Sequence, residues 1–303
     1  MKTGWSRNAE AIVWVTIATA LFSIIFASGK FAGELAPPLQ VNVMRYMGGA
    51  VTLIMLASFQ RQKLSSYRSG RPLFHFIRTV FGVSGGLTII QSSTDMPIVD
   101  ATAISLLYVV FVVLLGVMIL GERLGWRHVA GILACFAGAA LVVTSRGAFR
   151  HVDIAYIAPA LLALFGALLL AVEGIMIKLL AQSDRPMVVM LHVNIFGLLL
   201  LAVPAWFVWQ PVTVWQALPY VLLGPMGIAA QYCVIRGYRM ADLSVVGPVD
   251  YSWLIFASLI GLLFFNEIPT VGVAIGCAFI VLGGIVLATI KPRPEKQSLF
   301  ELQ

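Results

Sequence analysis

The sequence predicts an all-α membrane protein of ten transmembrane helices, built as two inverted five-helix repeats. Three observations predict it. First, the chain is 60% hydrophobic and 11% charged, with a mean hydropathy of +0.96, against roughly 25% charged residues in soluble domains; the apolar excess must face lipid. Second, apolar stretches fall near residues 9–30, 37–59, 72–94, 98–120, 124–144, 154–180, 186–209, 214–238, 243–265 and 268–290. Each is close to the roughly 20 residues a helix needs to cross hydrocarbon. Third, one pattern is written twice. Gly121-Glu122 is followed by Gly131, Gly138 and Arg146 at nine, sixteen and twenty-four residues past the glutamate, and Asn266-Glu267 by Gly276, Gly283 and Lys291 at the same offsets.

The elements read as helices because each segment in lipid must satisfy its own backbone, whereas barrel strands are short and alternating. Span 1 follows Lys2 and Arg7, but the run Ala11–Ser28 is too long for a secretion-signal core and no small-residue cleavage site follows. Span 2 opens at Pro37-Pro38 and carries Arg45 about 12 Å inside at 1.5 Å per residue. Span 3 holds His75 and Arg78, the latter about 9 Å deep, and ends in the polar run Gln91–Thr94. Span 4 runs through Asp100, Ser105 and Tyr108 to Glu122. Span 5 sets Gly131, Ala134 and Gly138 on one face, as close helix packing in membranes requires. The linker Ser145–Asp153 leads to span 6, with Glu173 and Lys178, span 7, with Pro186, His192, Asn194 and Gly197, and span 8, with Gln231 and Tyr232. Span 9 opens with Gly247-Pro248-Val249-Asp250-Tyr251-Ser252-Trp253, and span 10 carries Gly276, Gly283 and Gly284.

The first repeat therefore covers 1–145, the second 153–291, and 292–303 is a cytoplasmic tail. Five spans per half reverse the second half in the membrane. Aligning Pro37 with Pro186 sets Arg45 against Asn194, and counting back from the two glutamates sets Ser105 against Asp250 and Tyr108 against Trp253. Inverted repeats of this kind build carriers that alternate between two conformations. With the N-terminus inside, one side carries Lys2, Arg7, Arg61, Lys63, Arg68, Arg71, Arg123, Arg127, Arg185, Arg239, Lys291, Arg293 and Lys296, and the other only Lys30, Arg146 and Arg150. The positive-inside rule then puts both termini in the cytoplasm, and the net charge of +7 orients the chain rather than marking a nucleic-acid partner. Cys135, Cys233 and Cys277 fall inside spans without paired spacing, as small apolar residues. The tryptophans near span ends form an interfacial belt.

A charge inside the membrane is a functional candidate by default. Arg45 either binds a carboxylate or phosphate of a substrate or pairs with an internal acid. Arg78 either serves the site or snorkels to the interface. Glu173 either carries a proton or pairs with an arginine. In span 9, Pro248 disturbs the helix beside Asp250, Tyr251 and Trp253, an acid and two aromatic faces within one turn. Asp250 either reads and couples the substrate or pairs with Arg236. The candidate substrate-binding set is Arg45, Arg78, Ser105, Tyr108, Asp250, Tyr251 and Trp253, with Glu173 and Asp250 as coupling candidates.

These features resemble the drug/metabolite transporter superfamily in its EamA-type ten-helix branch. The resemblance spans nearly the whole chain and rests on the two Gly/Asn-Glu helix ends with their trailing glycines, Arg45 after Pro37-Pro38, and Asp100-Ala101-Thr102-Ala103-Ile104-Ser105. Gly247-Pro248-Val249-Asp250-Tyr251 is similar to the Pro-x-[Asp/Glu]-Tyr element of a subset that includes riboflavin and S-adenosylmethionine carriers. Asn266 departs from the glycine usual before Glu267. The resemblance implies a cavity among spans 1, 3, 4, 6, 8 and 9 and a small-molecule substrate. The expected function is secondary active transport across a bacterial-type inner membrane by alternating access, for a riboflavin-type vitamin or related planar solute. Export of amino acids or their derivatives is the alternative. An intramembrane serine protease is the remote one, through Gly82-Val83-Ser84-Gly85 with His192 as base; a channel or scaffold is a further class. No Walker lysine, metal-ligand cluster or HExxH pattern occurs, so no cofactor is expected. The lipid bilayer is the expected surrounding, as monomer or homodimer.

Overall fold

The structure, a computed structural model, describes residues 6–32, 36–61, 64–149 and 156–290. The expected tail 292–303, Lys291 of the second motif and residues 150–153 of the linker lie outside the described residues. Ten helical segments are long and apolar enough to cross a membrane. They are formed by α1 (Arg7–Ala32), α2 (Pro38–Gln60), α3 (Pro72–Asp95), α4 (Ile98–Ser105) joined to α5 (Tyr108–Leu120), α6 (Trp126–Ser145), α7 (Ile157–Ser183), α8 (Pro186–Phe207), α9 (Val214–Met240), α10 (Leu243–Val246) joined through the 3-10 turn Gly247–Ser252 to α11 (Trp253–Phe265), and α12 (Val271–Ala288). Spans 4 and 9, counterparts in the two halves, are thus the interrupted ones.

The two glutamate motifs fold alike. α5 ends on Gly121 at φ 65°, and α11 ends on Asn266 at φ 54°. Both are in the left-handed region, which glycine enters freely and asparagine more readily than most residues, so Asn266 preserves the turn. In each copy the next amide closes the same loop, Glu122 N–H onto Gly116 O at 3.2 Å and Glu267 N–H onto Gly261 O at 3.0 Å. Several non-helical residues then reverse the chain. That is why α6 and α12 begin at Trp126 and Val271, later than the apolar pattern at 124 and 268 predicts.

The trailing glycines join the halves. A Cβ on Gly138 would lie 2.5 Å from Gly276 O, and one on Gly276 2.6 Å from Gly138 O. Gly131 and Gly283 face each other likewise, at 3.2 and 2.7 Å from the opposing carbonyls. Gly131 corresponds by motif to Gly276 yet touches Gly283, so α6 and α12 cross antiparallel and contact each other reciprocally, as an isologous pair does. The inversion expected from loop charges is therefore visible in backbone contact. Gly284, grouped with the packing residues on sequence, has open space around its Cβ position and takes no part.

Elsewhere the halves interleave. α3 packs on α7, α1 on α9, α2 on both α8 and α9, and α5 on α7. Gly276→Val forces a branched side chain onto a backbone carbonyl and should cost about 1–3 kcal/mol, read as a lower unfolding midpoint in detergent. Gly284→Val should leave the midpoint unchanged.

Candidate functional site

The interruption of span 9 places Asp250 in the turn between α10 and α11, and that of span 4 places Tyr108 at the start of α5. The two breaks face each other. Tyr108 OH donates to Asp250 Oδ2 at 2.6 Å, and Tyr238 OH on α9 donates to the same oxygen at 3.5 Å. Tyr108 and Asp250, two members of the candidate set, are therefore in direct contact between halves. The rival pairing of Asp250 with Arg236 is not formed; the Arg236 guanidinium lies over the Trp14 ring at 5.7 Å. Tyr238 was missed because a tyrosine near a helix end reads as interfacial. Folding of the second half, which holds all three residues, brings it within electrostatic reach of both Asp250 and Glu173.

Arg78 and Glu173 meet at 3.0 Å between α3 and α7, so Glu173 takes the arginine partner left open on sequence and Arg78 does not snorkel. The Arg78 side chain is 1% accessible and that of Glu173 18%. Arg78 Nε and Nη1 remain without an acceptor. One turn before Arg78, His75 Nε2 is 2.7 Å from Asp184 at the end of α7, which also accepts from Ser69 at 2.6 Å. The His75 ring stacks on that of His192 at 4.5 Å. His192 therefore lies alongside His75, about 13 Å along α3 from Ser84 at 1.5 Å per residue. Ser84 and His192 form no nucleophile–base pair, and a Cβ at Gly82 of that motif would lie 2.6 Å from the Glu173 carboxyl, so Gly82 makes room for the ion pair.

The other candidates disperse. Ser105 Oγ is spent on Thr102 O of its own helix at 2.8 Å, and does not reach Asp250. Tyr251 turns toward α6, packs edge-on to Phe136 at 6.5 Å, and lines a separate apolar cavity of about 140 Å³. Trp253 is half-buried beside Phe26 at 6.1 Å, in edge-to-face contact, with a buried indole N–H that donates to nothing. Beside it Ser252 shares a 2.8 Å hydrogen bond with Thr19 of α1. Arg45 lies in another cavity altogether, among α2, α8 and α9.

Two fixed charges position span 9. The Glu122 carboxylate accepts the amides of Leu243 and Ser244 at 2.7 and 2.8 Å, capping the N-terminus of α10 from the opposite half. Lys178 Nζ donates to Tyr238 O at 2.6 Å and to Ala241 O, closing the end of α9. Among the described residues no group of three His, Cys, Asp or Glu side chains gathers to hold a metal ion.

Residues 9–144 and 157–289 each match the EamA-like transporter family. A riboflavin transporter of Vibrio cholerae is 27% identical over 90% of this chain and 91% of its own. An aromatic amino acid exporter of Ancylobacter novellus is 26% identical over 95% and 99%. A solved crystal structure of 24% identity superposes with a TM-score of 0.78 over 91% of this chain and 95% of the other, and shares the fold.

Removing one member of the Arg78–Glu173 pair strands the other. Glu173→Gln should cost up to about 3 kcal/mol, the low end for a buried pair because Glu173 keeps some water contact. Arg78→Met with Glu173→Leu should restore most of it. The unfolding midpoints of wild type and both variants in detergent check this, and non-recovery in the double variant would sink the pairing account.

Proposed function

The chain belongs to the EamA-like transporter family, and from that premise we propose that it is a secondary carrier of a planar, riboflavin-like solute. The observation that carries the reading is Trp253. Its indole face and unpartnered N–H sit three residues past the Asp250–Tyr108 contact and beside Phe26, offering a stacking surface and one donor to a ring carbonyl. The named solutes of both relatives, riboflavin and aromatic amino acids, also carry planar rings. Repeats 1–145 and 153–291 are the two parts that alternate, in a bacterial-type inner membrane with both termini cytoplasmic.

Of the two coupling candidates, Asp250 is held by two phenols and no cation, so it exchanges a proton without breaking an ion pair. Glu173 is tied to Arg78 and serves the frame. Arg78 adjoins the cage through Glu173 and Tyr238 and sets its charge balance rather than reading the ring.

Riboflavin should raise the unfolding midpoint of the purified protein in proportion to RT ln(1 + [L]/Kd), and Trp253→Ala should lose most of that rise while folding normally. A rise with phenylalanine or tryptophan but none with riboflavin would move the cargo to aromatic amino acids. In liposomes, Asp250→Asn should keep solute exchange and lose uptake driven by a pH gradient. Gradient-driven uptake at the wild-type rate in this variant would remove Asp250 from coupling.

A further inference from the structure

Arg45 stands apart from the Asp250 cage and its charge is unanswered. Its side chain makes one hydrogen bond, from Nη2 to the neutral Asn42 Oδ1 at 3.2 Å, and lies over the Tyr46 ring at 4.9 Å. Nε is buried with no acceptor. Among the described residues no carboxylate pairs with it. The guanidinium lines a cavity of about 40 Å³ with Asn194, Gly227 and Gln231. Gly227 borders the space: a Cβ there would stand in ordinary contact, 3.7 Å from Arg45 Nη1, and a larger side chain would extend into it. Gln231 brings a side-chain amide to the same wall. A cation this deep is costly unless neutralised, and a guanidinium fork fits a carboxylate or phosphate in two parallel hydrogen bonds.

We propose that this cavity is a separate anion site, taking one carboxylate or phosphate group on Arg45 with the Gln231 amide beside it. Its volume is far below that of a ligand pocket for a whole solute and suits one small anionic group, not a ring. Gln231 and Tyr238 are seven residues apart on α9, so they share one helix face about 10 Å apart along the axis. The anion site and the Asp250 cage are thus two stations along a single helix. The anion comes either from the solute itself or from a phospholipid headgroup.

The test uses the full chain purified in detergent, at constant ionic strength with chloride as reference. Inorganic phosphate and acetate should raise the unfolding midpoint saturably. Arg45→Gln should weaken that response at least tenfold, while Asp250→Asn keeps it. Without added anion, Arg45→Gln should unfold no lower than wild type, because it removes an unpaired charge. If Arg45→Gln does not yield folded protein, Gly227→Leu decides: it fills the cavity, leaves the charge and should abolish the response. Phosphatidylglycerol retained from nanodiscs by wild type and lost from Arg45→Gln, read by native mass spectrometry, would assign the headgroup as the source. Equal binding of phosphate, acetate and phosphatidylglycerol by wild type and variant, or no binding of any by wild type, overturns the site. Failure of riboflavin to bind leaves this test untouched.

Discussion

In hydrocarbon no backbone amide can be left unbonded at acceptable cost, and that constraint governs where this chain can open a site. Spans 4 and 9 are broken at Leu106–Leu107 and across Gly247–Ser252, where turn-type hydrogen bonds keep the amides satisfied and the chain is redirected so that Tyr108 and Asp250 meet. The break in span 9 is tolerable because the chain before it is held at both ends. Glu122 takes the first amides of α10, and Lys178 takes the last carbonyls of α9. A carboxylate and an ammonium thereby stand in for the water that a soluble protein would use at helix ends.

The side-chain polar contacts that join different spans mostly run between halves rather than within them. Arg78–Glu173, His75–Asp184, Tyr108–Asp250, Glu122 with Leu243 and Ser244, Thr19–Ser252, Gln40 with Gln210, and Arg146–Ser258 each join a residue of the first half to one of the second. Membrane helices gain little from hydrophobic association and rely on close packing and hydrogen bonds. Here the close packing is concentrated where α6 crosses α12, and the hydrogen bonds are spread through the interior. Neither half has a core of its own.

Ten spans, their inversion and the duplication were legible because hydropathy, loop charge and glycine spacing are properties of the chain itself. The role of Glu122 was not, since its partners are amides more than a hundred residues away and an acid after a helix end looks like a boundary mark. Glu173 showed its need for a cation but not which one. Nothing in the spacing of Arg78 and Glu173 links them, because they lie on helices that only the interleaved fold makes neighbours. The seven binding candidates looked like one site because each is polar or aromatic and deep. The direction of each side chain, set by helix rotation, divides them into the Asp250 cage, the Tyr251 cavity and the Arg45 cavity.

The α6–α12 crossing lies where the operation that exchanges the halves maps it onto itself, since Gly131 meets Gly283 and Gly138 meets Gly276. Alternating access by inverted repeats exchanges the conformations of the two halves, so a contact on that axis has the same geometry before and after. Under the proposed alternating access, a substitution there would weigh equally on both states and change how much protein is folded, not how it divides between facing in and facing out. The polar pairs off the axis have no such protection. His75–Asp184 joins spans 3 and 6 at one end of the bundle, so altering it biases the equilibrium toward one face. Stability and directionality are therefore written in different residues of the same chain.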